Sequence, residues 1–316
     1  MNRKDSYTLV AGGAGFLGSH LCKKLLSQGN KVICLDNLYT GDKSNLSEII
    51  DLDEFIFLNQ DIVDEININL PINGIYNLAC PASPVHYQKN PIYTLRVCFE
   101  GALNLLKLAN NLSVPIFQAS TSEIYGDPLQ HPQKIDYWGN VNPIGIRSCY
   151  DEGKRVAETL FFDYQRVFDT DIRVGRIFNT YGPNMDIDDG RVVSNFIVQA
   201  LEGKPITIYG DGGQSRSFCY VDDLIEAFIL MMSNGKKLSG PYNLGNPKEF
   251  TVKDLAEKVI EMTDSSSEIV YLDLPSDDPT RRKPDILNTE KDLSWNPKVE
   301  LEEGLELTIK YFRNII

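Results

Sequence analysis

The sequence predicts an α/β protein built on a doubly wound parallel sheet, with a smaller, discontinuous α/β domain supplied mainly by its second half. Three observations predict it. Short apolar runs alternate with helical stretches up to Phe178, a glycine cluster sits where the first run ends, and an aspartate closes the second run. Repeated alternation of this kind implies parallel strands joined by crossover helices.

Tyr7–Ala11 reads as the first strand, followed by a glycine-rich turn and a helix ending near Gly29, a residue suited to the left-handed position after a helix. Lys31–Leu35 is the second strand, with Asp36 at its end. Phe55–Leu58, Ile75–Ala79, Pro115–Ala119 and Ile172–Phe178 are apolar runs of the kind that strands buried on both faces require. Helices are expected between them, notably over Ile92–Ala109 and Tyr150–Phe168. After Phe178, loops rich in Gly, Asp and Asn (179–190 and 210–214) flank a helix at Val192–Leu201. A helix from Asp222 and a strand at Tyr242–Leu244 return to the sheet, and two further helices and the loop Leu274–Pro284 complete the chain. The expected division is residues 1–178 and 218–244 for the sheet domain, and 179–217 and 245–316 for a ligand-binding domain.

The 316 residues carry 31 Lys and Arg against 44 Asp and Glu, a net charge of −13. That balance argues against nucleic acid as a partner, and any anionic ligand must sit in a locally basic pocket. Apolar residues are spread along the whole chain, which excludes disorder. No run approaches the roughly 18 apolar residues of a spanning helix, so no membrane partner is expected. The six cysteines contain no CxxC pair, and no signal peptide precedes Tyr7, so a reducing, cytoplasmic setting is expected. With three histidines and no Cys/His spacing pattern, no metal is expected.

Gly12, Gly15 and Gly18 stand where the first strand turns into the first helix, with Phe16 and Leu17 between the last two. They permit a tight turn, close approach of a pyrophosphate to the backbone, and close packing of helix on strand, while the helix N-terminus offers its free N–H groups. Asp36 lies 18 residues past Gly18, where a carboxylate accepts from a ribose 2′-hydroxyl and repels a 2′-phosphate. NAD is therefore expected rather than NADP. Asn37, Tyr39, Thr40 and Gly41 continue around the adenosine. Asp61, followed by Ile62, either caps the adenine or simply opens a loop. Leu78, Cys80 and Ala119 fall at the carboxyl ends of strands, the edge where such sheets bind ligands, and Thr180 follows the sixth strand.

Tyr150 and Lys154 are four apart on a helix, beside the stripe Gly153, Ala157, Leu160, Phe161, Tyr164 and Phe168. A phenol serving as general base near neutrality must be favoured as phenolate by about 4 kcal/mol, which the Lys154 ammonium and a nicotinamide cation can supply. Thr121 and Glu123, after the fifth strand, present a hydroxyl and a carboxylate that either face a sugar alcohol or cap a loop.

These segments together resemble the extended short-chain dehydrogenase/reductase family, over almost the whole chain. Within it the resemblance is to members that decarboxylate UDP-glucuronate. It is carried by Cys80-Pro81-Ala82-Ser83-Pro84, by Ala119 through Pro128, by Asp136-Tyr137-Trp138-Gly139, by Cys149 through Arg155, by Gly190 through Phe196, and by Arg282-Lys283-Pro284-Asp285. The resemblance implies a Rossmann sheet and a redox-neutral cycle on a UDP-sugar. In that cycle Tyr150 takes the proton of the 4-hydroxyl, NAD accepts the hydride, the 4-keto uronate loses carbon dioxide, and the ketone is reduced to UDP-xylose. Thr121 shares the hydrogen bond to the 4-oxygen and Glu123 orients or deprotonates the sugar. Substrate contacts fall to Tyr87, Arg96, Asn179, Arg191, Tyr209 beside the uracil, Gln214, Arg216 and Arg282, the last also a candidate acid. Arginine suits such positions because its planar fork holds phosphate oxygens in pairs.

Ser122 stands where sugar dehydratases of the family carry Asp, which disfavours dehydration. The chain departs from the family pattern at Ala11, at Asp42, and at Val97, Cys98 and Ala102, where the usual Thr-Asn and Gly-Thr are lost. Alternative readings are an NAD-dependent nucleotide-sugar epimerase, dehydratase or apiose/xylose-type synthase, or a non-catalytic NAD-binding scaffold. The resemblance also implies a homodimer through the Ile92–Ala109 and Tyr150–Phe168 helices, where Leu103, Leu106, Ala157, Phe161 and Phe168 either line the interface or face the sheet.

Overall fold

Alternate residues of each apolar run bury themselves on opposite faces of one sheet. In a computed structural model, which describes residues 5–235, 238, 240–273 and 281–316, seven parallel strands form that sheet. They are β1 (Tyr7–Ala11), β2 (Lys31–Asp36), β3 (Phe55–Asn59), β4 (Ile72–Asn77), β5 (Ile116–Thr121), β6 (Ile172–Ile177) and an edge strand, Pro241–Leu244. Their order across the sheet is Pro241–Leu244, β6, β5, β4, β1, β2, β3. The direction of strand progression thus reverses between β1 and β4, and a ligand site is expected at the carboxyl ends there.

Leu9, Ala11, Ile33, Leu35, Ile75, Ile116, Ile172 and Val174 point to one face, where Leu105, Leu106, Ala157 and Phe161 cover them. Val10, Val32, Cys34, Tyr76 and Phe117 point to the other, under Leu21, Leu25, Phe228 and Met231. Both faces are dry, which is why the runs read as continuously apolar.

The segment expected as one helix over Ile92–Ala109 is divided. Pro91–Arg96 is helical, Val97–Gly101 forms a π-helical turn, and Ala102–Leu112 continues as α-helix. The second long helix runs Ser148–Phe168, two residues longer than expected. Beyond the edge strand there are three helices among the described residues, Val252–Thr263, Leu287–Leu293 and Leu301–Arg313, rather than two. The expected loop Leu274–Pro284 lies outside the described residues up to Thr280. Strand Ser215–Ser217 pairs in parallel with Arg281–Arg282, which puts Arg216 and Arg282 in register.

A buried polar network ties these layers together. Glu158, on the helix Ser148–Phe168, accepts from Arg176 of β6 through Nε at 3.1 Å and Nη2 at 2.9 Å, and from the Ser120 hydroxyl of β5 at 2.5 Å. Arg176 also donates to the Tyr125 hydroxyl (2.9 Å), which donates to Asn243 of the edge strand (2.7 Å). Asn243 in turn donates to the carbonyls of Gln133 and Asp285. Removing one partner of a buried charge pair strands the other charge, at a cost of about 3–5 kcal/mol. Glu158→Ala is therefore expected to lower the denaturant midpoint by an amount in that range, whereas exposed Glu303→Ala leaves it nearly unchanged.

Candidate active site

The turn between β1 and the helix Phe16–Ser27 leaves no room for side chains at two of its glycines. Gly12 has φ +78°, and a Cβ there would lie 2.7 Å from the Ala79 amide nitrogen; one on Gly18 would lie 2.0 Å from the Gly12 carbonyl oxygen. Above this turn opens a cavity of about 450 Å³. Its wall contains Gly12, Gly15, Phe16, Leu17, Gly18, Asp36, Asn37, Tyr39, Thr40, Gly41, Asp61, Ile62, Leu78 and Cys80, all expected there from the sequence.

Asp36 closes the wall. Its carboxylate accepts from the amides of Ala14 (2.9 Å) and Leu38 (2.8 Å), and burial lifts its pKa against the pull of those amides. Asp61 accepts from Asn37 (2.7 Å) and from the Tyr93 hydroxyl (2.5 Å), and the Tyr93 ring packs 4.9 Å from that of Tyr39. Sequence reasoning missed Tyr93, whose only local signal is a position in the first turn after Asn90-Pro91.

Four expected cofactor residues, Ala119, Tyr150, Lys154 and Thr180, stand outside that wall. The Ala119 carbonyl accepts from Lys154 Nζ at 2.9 Å, so the lysine is buried but satisfied. The Thr180 hydroxyl donates back to the Phe178 carbonyl. Arg191, expected on the substrate, lines that cavity, paired with Asp189, packed over the Phe16 ring and within electrostatic reach of Tyr150. Arg96 is exposed and turned along its own helix to Glu100, three hydrogen bonds holding it there, so it meets no site.

The chemistry gathers at the start of the helix Ser148–Phe168. Tyr150 is buried, its ring stacked at 5.0 Å on that of Tyr87, and its phenol is hydrogen-bonded to Thr121. Burial pushes the Tyr150 phenol well above 10, and the negative charge of Glu123 adds to the rise while Thr121 opposes it. Lys154 Nζ lies 5.7 Å from the Tyr150 ring centroid and donates to the Ala119 carbonyl, so of the two positive charges expected to favour the phenolate the protein supplies one and the cofactor ring the other.

Glu123 is held between two guanidinium groups, Arg147 Nη2 at 2.5 Å and Arg282 Nη2 at 3.1 Å. Arg282, 1% exposed, also donates to the Ser122 and Gly126 carbonyls. Burial would raise the Glu123 carboxyl, yet Arg282, Arg147 and Arg216 together hold it below its usual range. This is the locally basic pocket that an acidic protein needs for an anionic ligand. Arg147 is the second residue that sequence reading missed; its signal was its place one turn before Tyr150 and four residues before Asp151.

The remaining expected substrate residues spread outward. Tyr209 is 44% exposed, and its carbonyl accepts from the Gln214 side chain at 2.6 Å. Gln214 lines an open hollow of about 410 Å³ together with Arg281 and Glu249. Asn179 is half-buried, its carbonyl accepting from the Cys219 amide.

The departure at Cys98 has a structural counterpart. Cys98 Sγ lies 3.5 Å from the Sγ of Cys80, which lines the cofactor cavity, and against Gly153 of the helix Ser148–Phe168. The hydrogen bond shared with Cys98 lowers the Cys80 thiol to about 7, with help from Lys154 and against burial.

With this geometry the chain belongs to the NAD dependent epimerase/dehydratase family, matching it over residues 8–245. Over 316 residues, all of this chain and 72% of the relative, it is 52% identical to UDP-glucuronic acid decarboxylase 1 of Arabidopsis thaliana. It superposes on the UDP-glucose 4-epimerase of Thermotoga maritima, solved with UDP-glucose, with TM-score 0.90 and 31% identity, covering 98% of this chain and 99% of that one. UDP-glucuronic acid 4-epimerase of Bacillus cereus, solved with UDP-glucuronic acid and NAD, gives TM-score 0.86 and 27% identity, covering 98% of this chain and all of that one.

A thiol near neutrality reacts as its thiolate fraction grows. Cys80 is therefore expected to be alkylated by iodoacetamide faster than buried Cys22, Cys34 and Cys219, with a rate rising through pH of about 7 and suppressed by NAD; peptide mass spectrometry reads each site.

Proposed function

We infer that the protein converts UDP-glucuronate to UDP-xylose and carbon dioxide, using NAD without net redox change. The observation that carries this reading is Glu123. It stays ionised among three guanidinium groups beside Tyr150, in a chain aligned end to end with a UDP-glucuronic acid decarboxylase. Ser122, buried and neutral, offers no acid for expelling a 6-hydroxyl, so dehydration is disfavoured.

Asp36, Gly12, Gly15 and Gly18 fit NAD, because the glycine turn admits a pyrophosphate and the carboxylate meets a ribose. When bound, NAD supplies the hydride acceptor and donor for C4 and a positive ring charge that offsets the burial of the Tyr150 phenolate. Tyr150 accepts the proton of the 4-hydroxyl and later returns it, while Thr121 holds the same oxygen. Glu123 fixes the ring hydroxyls, and its negative charge opposes retention of the substrate carboxylate. Arg216, brought into register with Arg282 by strand pairing, faces the diphosphate, while Arg282 backs the uronate end through Glu123. Tyr209 and Gln214, farther out, suit the uracil.

In this reading residues 1–178 and 218–244 bind the cofactor and residues 179–217 and 245–316 bind the sugar nucleotide. Among the described residues no helix is long and apolar enough to cross a membrane, and all six cysteines are free, which supports a reducing compartment, the cytoplasm.

A homodimer is also proposed. Leu106, Ala157 and Phe161 face the sheet and are not available to a partner. Exposed Ile92, Leu95, Phe99, Val156 and Phe168 take that role. Sedimentation at micromolar protein is expected to give a dimer, and Phe99→Glu to shift it toward monomer.

Incubation with UDP-glucuronate and NAD is expected to yield UDP-xylose and carbon dioxide with no accumulated NADH, read by mass spectrometry and proton NMR. Tyr150→Phe should lower turnover about 10²–10⁴-fold, as loss of a general base does. A product of unchanged mass with an inverted 4-hydroxyl would replace this reading with epimerisation.

A further inference from the structure

The proton balance of the reaction is incomplete with the residues named so far. Resting on the decarboxylase reading, loss of carbon dioxide from the 4-keto uronate breaks the C5–C6 bond and moves its electron pair into the C4 carbonyl, giving an enolate. The next step must form a C5–H bond with a proton from outside the sugar. Tyr150 cannot be that source, because the proton it removes from the 4-oxygen returns to the 4-oxygen. Glu123 cannot either, since the surrounding arginines keep it ionised. Arg282 is committed to Glu123 and to two carbonyls, and a guanidinium gives up its proton only at a high cost.

One further acid stands in the cluster. Asp151 follows Tyr150 on the catalytic helix, is 8% exposed, and its Oδ1 is buried with no hydrogen-bond partner. Its other oxygen lies 3.9 Å from Arg147 Nε, the residue that also grips Glu123. Asp151 and Glu123 both line a second cavity of about 210 Å³, together with Arg147, Asn140 and Asn142.

We propose that Asp151, as the neutral acid, protonates C5 after carbon dioxide leaves. Its O–H bond breaks as the enolate electron pair forms the C5–H bond. The C4 carbonyl is restored, and Asp151 is left as a carboxylate that regains a proton from water in the cavity it lines.

The charges around it favour this assignment. Facing Asp151 are Glu123 from the turn after β5, Arg282 from its short strand, Tyr87 from the helix Pro84–Lys89, and Arg147, Cys149 and Glu152 along its own segment. Burial, then the nearby Glu123 carboxylate, raise Asp151 to about 7 against Arg147 and Arg282. Two carboxyl groups in one site with acidities driven apart is the pattern of a divided acid and base. Asp151 is protonated below about pH 7 and loses its proton above it, so the step slows as pH rises.

The test uses the NAD-loaded enzyme in single turnover with UDP-glucuronate in heavy water. NADH absorbance follows oxidation and then reduction, and NMR reads deuterium at C5. In the wild type NADH appears and decays, the decay slows above pH about 7, and deuterium occupies one C5 position. In Asp151→Asn the rise is expected to persist while the decay slows about 100-fold, its alkaline limb disappears, and deuterium is scrambled between both C5 positions. Asp151→Glu restores part of the decay rate and the single position. The proposal is overturned if Asp151→Asn keeps the decay rate, its pH limb and one-sided deuteration, or if NADH never appears in a folded variant, which makes the residue a scaffold for oxidation. A wild type that releases no carbon dioxide overturns the decarboxylase reading and this proposal with it, a result distinct from either variant outcome.

Discussion

The pair formed by Glu158 and Arg176 is the constraint on which the site depends. A charged pair inside a protein is tolerated only when both ends are fully hydrogen-bonded, and here the bonds that the two groups do not make to each other reach other elements. Ser120 brings in β5, Tyr125 the turn after it, Asn243 the edge strand, and Asp285 and Gln133 the segment that follows Arg282 and the loop paired with it. The helix with Tyr150 and Lys154, the turn with Glu123, and the short strand with Arg282 are thereby fixed against one another. Positions separated by more than 150 residues meet within hydrogen-bond distance as a consequence.

The acid–base properties of the site follow from what each carboxyl group faces. Asp151 is buried and Glu123 half-buried, and they are driven in opposite directions. Three guanidinium groups outweigh desolvation for the first, whereas the second meets Arg147 only at 3.9 Å and meets Glu123 as a like charge. Tyr150 shares the dry environment, so its phenol is held up by burial and needs a positive charge from the cofactor side to serve as a base. One helix end thus supports a phenol, a neutral acid and an ionised carboxylate because burial is common to all while arginine contacts are not.

The Cys80–Cys98 contact shows how the chain accommodates its departure from the family pattern. Where a helical Asn is usual, a thiol packs against Gly153 and against a second thiol, within the π-helical turn Val97–Gly101.

The sequence by itself determined the doubly wound sheet, the glycine turn, Asp36, and the Tyr150/Lys154 pair. Each of these is a local pattern: two-face burial makes a strand uniformly apolar, a pyrophosphate demands glycine at Gly12 and Gly18, and four-residue spacing places two side chains on one side of a helix. Helix boundaries near Ile92 were less legible because Pro91 and the π-turn interrupt an apolar pattern that looks continuous. What only the tertiary structure decided concerns charge and distance across the fold. It alone placed Arg191 against the cofactor cavity, brought Arg147 and Arg282 onto Glu123, and left Asp151 Oδ1 without a partner. Those outcomes depend on low-dielectric contacts between distant segments, and no spacing along the chain encodes them.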